Sequence, residues 1–494
     1  MPFRIHHLGY LFTIFCLYSL PINLFSGNFE QTVEKYRNFL EIPHNSPFLS
    51  IYLLLGFLLI LLSFFKPKIA LGIMLVFIMV STDIQLDKTA NSERGVTVRM
   101  EDIILLLVTG GWLLNRAKNR SLSIIKDVPI NKGITVMSFA IIISTLLGLL
   151  QGTVPTSRAI LFTLKRLEYF WIYFMTLHMI DTREETIKMF RFLFFISLFI
   201  ACFGIIQSFL FPVSPLTGGG ITATAGFGRA NTLASFYLIM AGISIGMLLY
   251  YDSKSQIFYL FSLTIFIVAI ILTKSRGAYV SILPILIMAY LISRRTKLLF
   301  FTVSVLAIIG LFYIGTFISG KIKFLAEIHN DNIKSQFISI GSVVVEGPEA
   351  DSSFYARYSA WKDIFPKIMD YPLFGHGVGA MFLGYVDNQY FHELYDTGFI
   401  GLFALLFFNF ILFTSLYSFF HFTQNNFSKA LSFGLIVGQA GILTHGMTIT
   451  NFYTILNMEA LCVLLGLVMV LYYNEKRFQV SSSSLEAQIQ INQR

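Results

Sequence analysis

Apolar runs close to the thickness of a bilayer core recur along almost the whole chain, and they constrain its fold more than any other feature. About 20 apolar residues in helical form cross the hydrocarbon of a membrane. Such a run leaves no polar face with which a soluble helix could meet water. Fourteen spans follow: 8–25, 48–65, 69–84, 102–115, 133–151, 160–180, 190–211, 231–251, 256–273, 276–292, 298–316, 391–419, 430–450 and 453–473. In lipid every backbone N–H and C=O must be satisfied inside the protein, which favours helices. The expectation is an all-α, polytopic integral membrane bundle of about 12–14 transmembrane helices. Residues 1–480 would form a single transmembrane domain, and the polar, low-complexity residues 481–494 a disordered cytoplasmic tail.

Composition excludes the main alternatives. Charged residues make up 13% of the 494, about half of what a soluble surface carries. The net charge of +9 comes without a basic tract set in a soluble fold, so no nucleic-acid partner is expected. Cys16, Cys202 and Cys462 all sit inside apolar runs, which implies neither a disulfide framework nor a metal cluster. No small-x-small cleavage site follows the first run, so it reads as an uncleaved span.

Lys and Arg set the orientation. With the N-terminus inside, slightly more than half of the 36 fall on inner segments. That places both termini in the cytoplasm and the one long polar loop, residues 317–390, outside, which in a bacterium is the periplasm. No internal repeat is visible, against the common transporter folds.

The long loop carries the chemistry. Its second half, residues 354–369, sets Phe354, Tyr358, Trp361, Phe365 and Ile368 at helical spacing, predicting an amphipathic helix along the membrane interface or capping the bundle. Pro372 ends it, and Gly375, Gly377 and Gly379 follow as a flexible turn. Their spacing resembles part of a nucleotide fingerprint, but no strand precedes them and no soluble domain surrounds them. Asp387, His392, Glu393 and Asp396 then enter the head of an apolar span. Ionisable groups at that depth are costly and tend to be functional, although Asp and Asn are also ordinary helix caps.

Several basic residues stand at outer span ends, against the charge rule: Arg158, Lys165, Arg166, Arg229, Lys274, Arg276 and Arg357. Each could snorkel to lipid headgroups. Together they could line one outward-facing anionic site, since the guanidinium fork matches phosphate oxygens and stays charged when partly buried. Two or three could hold a diphosphate without a metal, and the chain has no Asp-x-Asp pair and no His/Cys ligand cluster. No cofactor is expected. The matching chemistry is displacement of a membrane-anchored diphosphate by a sugar hydroxyl. A carboxylate or His would take the proton, and arginines would stabilise the leaving charge.

Five segments occur in a telling order: Leu272-Thr273-Lys274-Ser275-Arg276-Gly277-Ala278; Arg357-x-x-x-Trp361; Tyr371-Pro372-Leu373-Phe374-Gly375-x-Gly377-x-Gly379; Asp387-Asn388-x-Tyr390; and Gly398-x-x-Gly401. With Arg99-Met100-Glu101-Asp102 and Asn231-x-Leu233-Ala234, they make roughly residues 95–475 resemble the O-antigen polymerase and ligase superfamily of bacterial envelope enzymes. The resemblance implies a GT-C-like, metal-independent, inverting glycosyltransferase at the periplasmic face of the inner membrane, acting on undecaprenyl-diphosphate-linked glycans. By motif, Arg276 is the family's turn arginine, Arg229 a second phosphate-binding arginine and Arg357 the loop arginine before the tryptophan. Arg166, Lys274, Asn388, Tyr390 and Trp361 complete the expected diphosphate and glycan contacts. Ligases of the family show His-Asn at the start of the late motif, whereas this chain has Asp387-Asn388. That departure favours a polymerase, with Asp387 as base and His392 as the other candidate. Two readings stay beside it: a ligase moving the finished glycan to lipid A-core or protein, and a transporter flipping the lipid-linked sugar. Membrane lipids, a chain-length regulator and a flippase are the expected partners.

Overall fold

In the computed structural model, residues 47–80, 83–85, 97–119, 126–210, 229–293, 347, 349, 352–381 and 386–492 are described. Among them run thirteen α-helices: α1 Pro47–Phe65, α2 Pro67–Val80, α3 Met100–Lys118, α4 Ile130–Gln151, α5 Thr156–Met179, α6 Arg183–Leu210, α7 Arg229–Tyr250, α8 Gln256–Leu272, α9 Arg276–Ser293, α10 Ser352–Ile368, α11 Gln389–Phe422, α12 Asn426–His445 and α13 Ile455–Asn492. Twelve of the fourteen expected spans coincide with a helix. Spans 8–25 and 298–316 and most of the first half of the long loop lie outside the described residues. Seven helices, α4, α6, α7, α9, α11, α12 and the first part of α13, are long and apolar enough to cross a bilayer. The chain is a multi-pass helical membrane protein. Helix α5 falls short on composition because it carries Arg158, Lys165, Arg166 and Glu168. Helix α13 continues through residues 481–492, where the sequence leads one to expect disorder. Leu485, Glu486, Ala487 and Gln488 there are strong helix formers.

The chain divides into two compact units. The first holds α1, α2 and α3 with a two-stranded antiparallel hairpin, β1 Asp83–Gln85 against β2 Thr97–Arg99, which pairs Asp83 with Arg99. Helix α3 lies tight on α1. A Cβ at Gly111 would come within 2.6 Å of Ser63 Cβ, and the Ser63 hydroxyl donates to the Val108 carbonyl at 2.6 Å.

The second unit holds α4 to α13. Its tightest crossing joins α7 and α12. Gly242 and Gly246 face Gly434 and Gly438, and a Cβ at Gly242 would lie 2.5 Å from the Gly438 nitrogen. Apolar side chains gain little from meeting each other in lipid, so small residues that let backbones approach drive such contacts. The two small-x-x-x-small pairs stand plainly in the sequence. Around them Phe190, Phe194, Phe258, Tyr259 and Phe266 pack in edge-on and tilted pairs, which gives part of the large Phe content a structural use.

Helix α11 is not continuous. Gly398 has φ 66° and ψ −167°, which breaks it nine residues in. A break inside a membrane bundle frees backbone groups that must find partners. Residues 371–381 provide them. The His376 and Gly377 N–H groups donate to the Tyr395 and Asp396 carbonyls, both at 2.9 Å, while the Phe399 and Ile400 N–H groups donate to the Pro372 and Leu373 carbonyls at 2.8 and 3.1 Å. Gly375, Gly377 and Gly379 all have positive φ. A Cβ at Gly375 would lie 2.5 Å from the Asp396 carbonyl. The N–H groups of Gly379 and Met381 both point at the Asp396 carboxylate, each at 3.1 Å. The glycine run is therefore a seat for the broken helix and for Asp396, not a phosphate cradle. His376 stacks on Tyr395 at 4.1 Å, and burial holds its imidazole below the usual range against the raising effect of the Tyr395 carbonyl.

Candidate functional site

Three elements, the head of α11, the α8–α9 turn and α7, meet at residues 443–448, the end of α12 and the turn after it, which form their common floor. Helix α11 starts there. Asn388 caps it, accepting from the Tyr390 and Phe391 N–H groups at 2.9 and 3.2 Å, the usual satisfaction of first-turn donors. Its amide also donates to the Met447 carbonyl at 3.1 Å. The Gln389 N–H donates to the Gly446 carbonyl at 2.7 Å, and the Tyr390 hydroxyl to the Leu443 carbonyl at 2.7 Å. Asn388 and Tyr390 thus spend polar atoms on bracing the start of α11, not on an open surface as their motif position implies.

The α8–α9 turn abuts the same floor. The Ser275 hydroxyl lies 3.1 Å from His445 Nε2, and a Cβ at Gly277 would press on the Thr448 and His445 side chains. Lys274 has φ 56°, the one positive value at a non-glycine residue among those described. That conformation costs roughly 1–2 kcal/mol, and such strain persists where surrounding contacts over-determine it, often at functional sites. Lys274→Gly is therefore expected to raise stability by about 1 kcal/mol, read as a higher midpoint of thermal unfolding in detergent. Lys274→Ala, which keeps the strain, should give no gain. Equal midpoints for Gly and Ala would show that the turn stores none.

Helix α10 covers α11 from outside. Ile364 and Ile368 are buried with Met381 and Val386, and Trp361 packs against them and stacks on Phe391 with ring planes 18° apart. Phe365 is 53% exposed, against its expected place on the apolar stripe. The 100° step from one residue to the next puts it on the flank of a face centred between Trp361, Ile364 and Ile368. One turn before Trp361, Arg357 forms an ion pair with Asp387 at 3.7 Å, their side chains 24% and 41% exposed. A carboxylate and a guanidinium that water can reach thus stand at the head of α11. Helix α7 starts at Arg229, whose side chain lies outside the described residues, and its Ser235 reaches His445 Nδ1 at 2.6 Å. So Lys274, Arg276 and Asp387 are carried on elements that share one floor, and Arg357 reaches Asp387 from α10.

Arg166 and His392 sit apart from that surface, in a buried network at the α11 break. Arg166 is 4% exposed. One guanidinium nitrogen holds both Glu393 oxygens at 2.9 Å, the other donates to the Tyr453 hydroxyl at 3.0 Å, and the group lies 4.5 Å from the Tyr453 ring centre. Its fork is occupied by protein, which corrects the expectation that it holds diphosphate. Glu393 also accepts from the Thr397 hydroxyl at 2.7 Å. His392 is 1% exposed, packs on Tyr453 at 4.0 Å, and has Nδ1 3.7 Å from Asp396 Oδ2. Among the described residues, neither ring nitrogen has a hydrogen-bond partner. It faces Asp396, so the structure does not bring it to Asp387 as a second base. Lys165 is likewise engaged inside the bundle, with Glu168 at 3.0 Å and Glu459 at 3.6 Å.

Sequence reading missed His445, Ser235, Asn451 and Tyr453. The available signal was weak: Thr444-His445-Gly446-Met447-Thr448 and Asn451 at the end of an apolar run, where polar residues ordinarily meet the interface. Among the described residues, no three His, Cys, Asp or Glu side chains gather as a metal ion requires.

Residues 260–406 match the family model described as O-antigen ligase. The matched stretch takes in the α8–α9 turn, α10, the glycine run and the head of α11, and it agrees with the superfamily resemblance drawn from the motifs. No curated protein matches the chain.

Proposed function

We propose that this membrane protein is a polysaccharide polymerase, for O-antigen or exopolysaccharide, acting at the periplasmic face of a bacterial inner membrane. It would transfer a growing glycan from its undecaprenyl diphosphate anchor to a sugar hydroxyl of the next lipid-linked repeat unit. The observation that carries the reading is the Arg357–Asp387 pair at 3.7 Å, at the head of α11, which rests on the same floor as the turn of Lys274 and Arg276. The O-antigen ligase family match over residues 260–406 supports glycan transfer as the broader class.

In this mechanism the donor diphosphate draws Arg357 away from Asp387, since phosphate offers the guanidinium more charge and a better-matched pair of oxygens. The freed Asp387 carboxylate accepts the proton of the acceptor hydroxyl. The acceptor oxygen then bonds to the anomeric carbon as the bond from that carbon to the diphosphate oxygen breaks. The electron pair leaves with undecaprenyl diphosphate, whose charge Arg276, Arg357 and Arg229 stabilise. One displacement inverts the anomeric centre. Trp361, beside Arg357, presents an aromatic edge for the glycan, and Asn388 and Tyr390 hold the α11 head in place.

A ligase is the second reading, and the match to the O-antigen ligase family favours it. The two differ only in acceptor, so the test is what accumulates in cells lacking the gene. A missing polymerase leaves single lipid-linked units, and a missing ligase leaves long lipid-linked polymer. Asp387→Ala is expected to reproduce the single-unit pattern, because removing a general base costs about 10²–10⁴ in rate. Wild-type chain lengths with Asp387→Ala would sink the assignment of the base. Purified protein in liposomes separates the third reading. Elongation of substrate added from outside supports an enzyme, whereas transbilayer movement without elongation supports a carrier.

A further inference from the structure

We infer that His445 is a positioning residue for this transfer, acting through Ser275 to hold the turn that carries Lys274 and Arg276. The inference rests on the reading of that turn as a diphosphate-holding element.

His445 is the last residue of α12, with 0% exposure. Its hydrogen-bond directions follow from its neighbours. The Asn451 amide nitrogen donates to the Ile442 carbonyl at 2.8 Å, which turns Asn451 Oδ1 towards Ser235 at 2.5 Å. An amide oxygen can only accept, so the Ser235 hydroxyl spends its one proton there. The Asn231 carbonyl, at 3.2 Å, is the more distant alternative. The Ser235 oxygen must then accept from His445 Nδ1–H at 2.6 Å. In the neutral ring that leaves Nε2 as the acceptor, and it faces the Ser275 hydroxyl at 3.1 Å. One imidazole thus joins three elements, α7, the α8–α9 turn and α12, with a defined tautomer.

What it joins is the strained turn. Ser275 sits between Lys274, at φ 56°, and Arg276, the first residue of α9. Local bonds, from Thr273 Oγ1 to the Ile270 carbonyl at 2.6 Å and from the Ser275 N–H to Thr273 Oγ1 at 3.3 Å, tie the turn only to itself and to α8. The bond from Ser275 to His445 ties it to another helix, and the close approach of Gly277 to His445 and Thr448 keeps that register.

The test uses the full-length protein in nanodiscs and undecaprenyl diphosphate, the proposed leaving group, as probe, which needs no knowledge of the sugar. His445→Gln keeps an acceptor near the Nε2 position. His445→Asn keeps a donor near Nδ1 and loses the reach to Ser275. The expected result is a Kd raised about tenfold for His445→Asn and within about threefold of wild type for His445→Gln. Ser275→Ala should match His445→Asn, and the double variant should be no worse than either, because both remove one interaction. Equal losses in Gln and Asn, or a silent Ser275→Ala, would overturn the inference. Arg276→Ala separates it from the reading beneath. If Arg276→Ala weakens binding while His445→Asn and Ser275→Ala do not, only the positioning role fails. If Arg276→Ala binds as wild type does, the turn holds no diphosphate and both fall.

Discussion

Arg166→Ala is expected to cost on the order of 3–5 kcal/mol of stability, the largest effect of any single substitution in the buried network. The reason is what it leaves behind. Glu393 has 0% exposure, and Arg166 contacts both of its oxygens. Removing the guanidinium strands a carboxylate inside the bundle with only neutral donors, the Thr397 and Tyr453 hydroxyls and the Gln389 amide. Those cannot offset the loss of hydration. The same logic predicts rescue. In Arg166→Met with Glu393→Gln, the Glu393 charge goes with its partner, Asp396 keeps its bonds from the Gly379 and Met381 N–H groups and much of the volume is kept, so most of the stability should return. Unfolding midpoints in detergent for Arg166→Met, Glu393→Gln and the double variant form a cycle that reads this directly. An Arg166→Ala protein as stable as wild type would mean that the ion pair contributes nothing. A double variant as unstable as the single would mean that the guanidinium stabilises the fold through its Tyr453 contacts instead.

Arg276→Ala is expected to lower the rate of glycan transfer about 10²–10³-fold, the scale of losing one preorganised group aimed at developing charge. Folding should be little changed, because Arg276 is only partly buried at the start of α9. Arg276→Lys should recover part of the rate and not all of it. An ammonium supplies charge without the planar fork that grips two phosphate oxygens. The measurement is chain length and yield in cells lacking the native gene, followed by kcat/KM on purified protein once a lipid-linked donor is in hand. Unchanged yield and chain length with Arg276→Ala would remove the turn from the mechanism.

The Arg166 and Arg276 cases show how differently two arginines can look alike in a sequence. Both occur at span ends where the charge rule disfavours them. Arg276 stands in a turn on the floor at residues 443–448, whereas Arg166 is turned inward to Glu393. Nothing in the spacing of α5 reports that difference, since it depends on which helix α5 meets. His392 shares the limitation. Five residues after Asp387, it is close in number but packs inward on Tyr453 and towards Asp396, whereas Asp387 precedes the helix cap and pairs with Arg357. Asp396 reads as one more acid entering a span. Its role as acceptor for Gly379 and Met381 needs the glycine loop to fold back on the break at Gly398, a pairing across some twenty residues that no local pattern records.

The apolar runs alone determined the broad outcome, a helical membrane bundle, and twelve of the spans they placed coincide with an observed helix. That worked because the bilayer imposes one rule on every segment: backbone polar groups must be satisfied inside the helix and side chains must tolerate lipid. The amphipathic face of α10 and the run of motifs from Lys274 to Gly401 were legible for a related reason, since helical periodicity and turn glycines are local properties. Only the tertiary structure decided which charges face the surface near Asp387 and which are locked in the Arg166–Glu393–Tyr453 network. It alone brought His445 to Ser275 and Ser235. Those outcomes depend on contacts between residues up to 287 positions apart, set by which small residues let α7 and α12 approach and by where α11 breaks. A buried charge is decided by the partners that packing supplies, and packing is not written at the position of the charge.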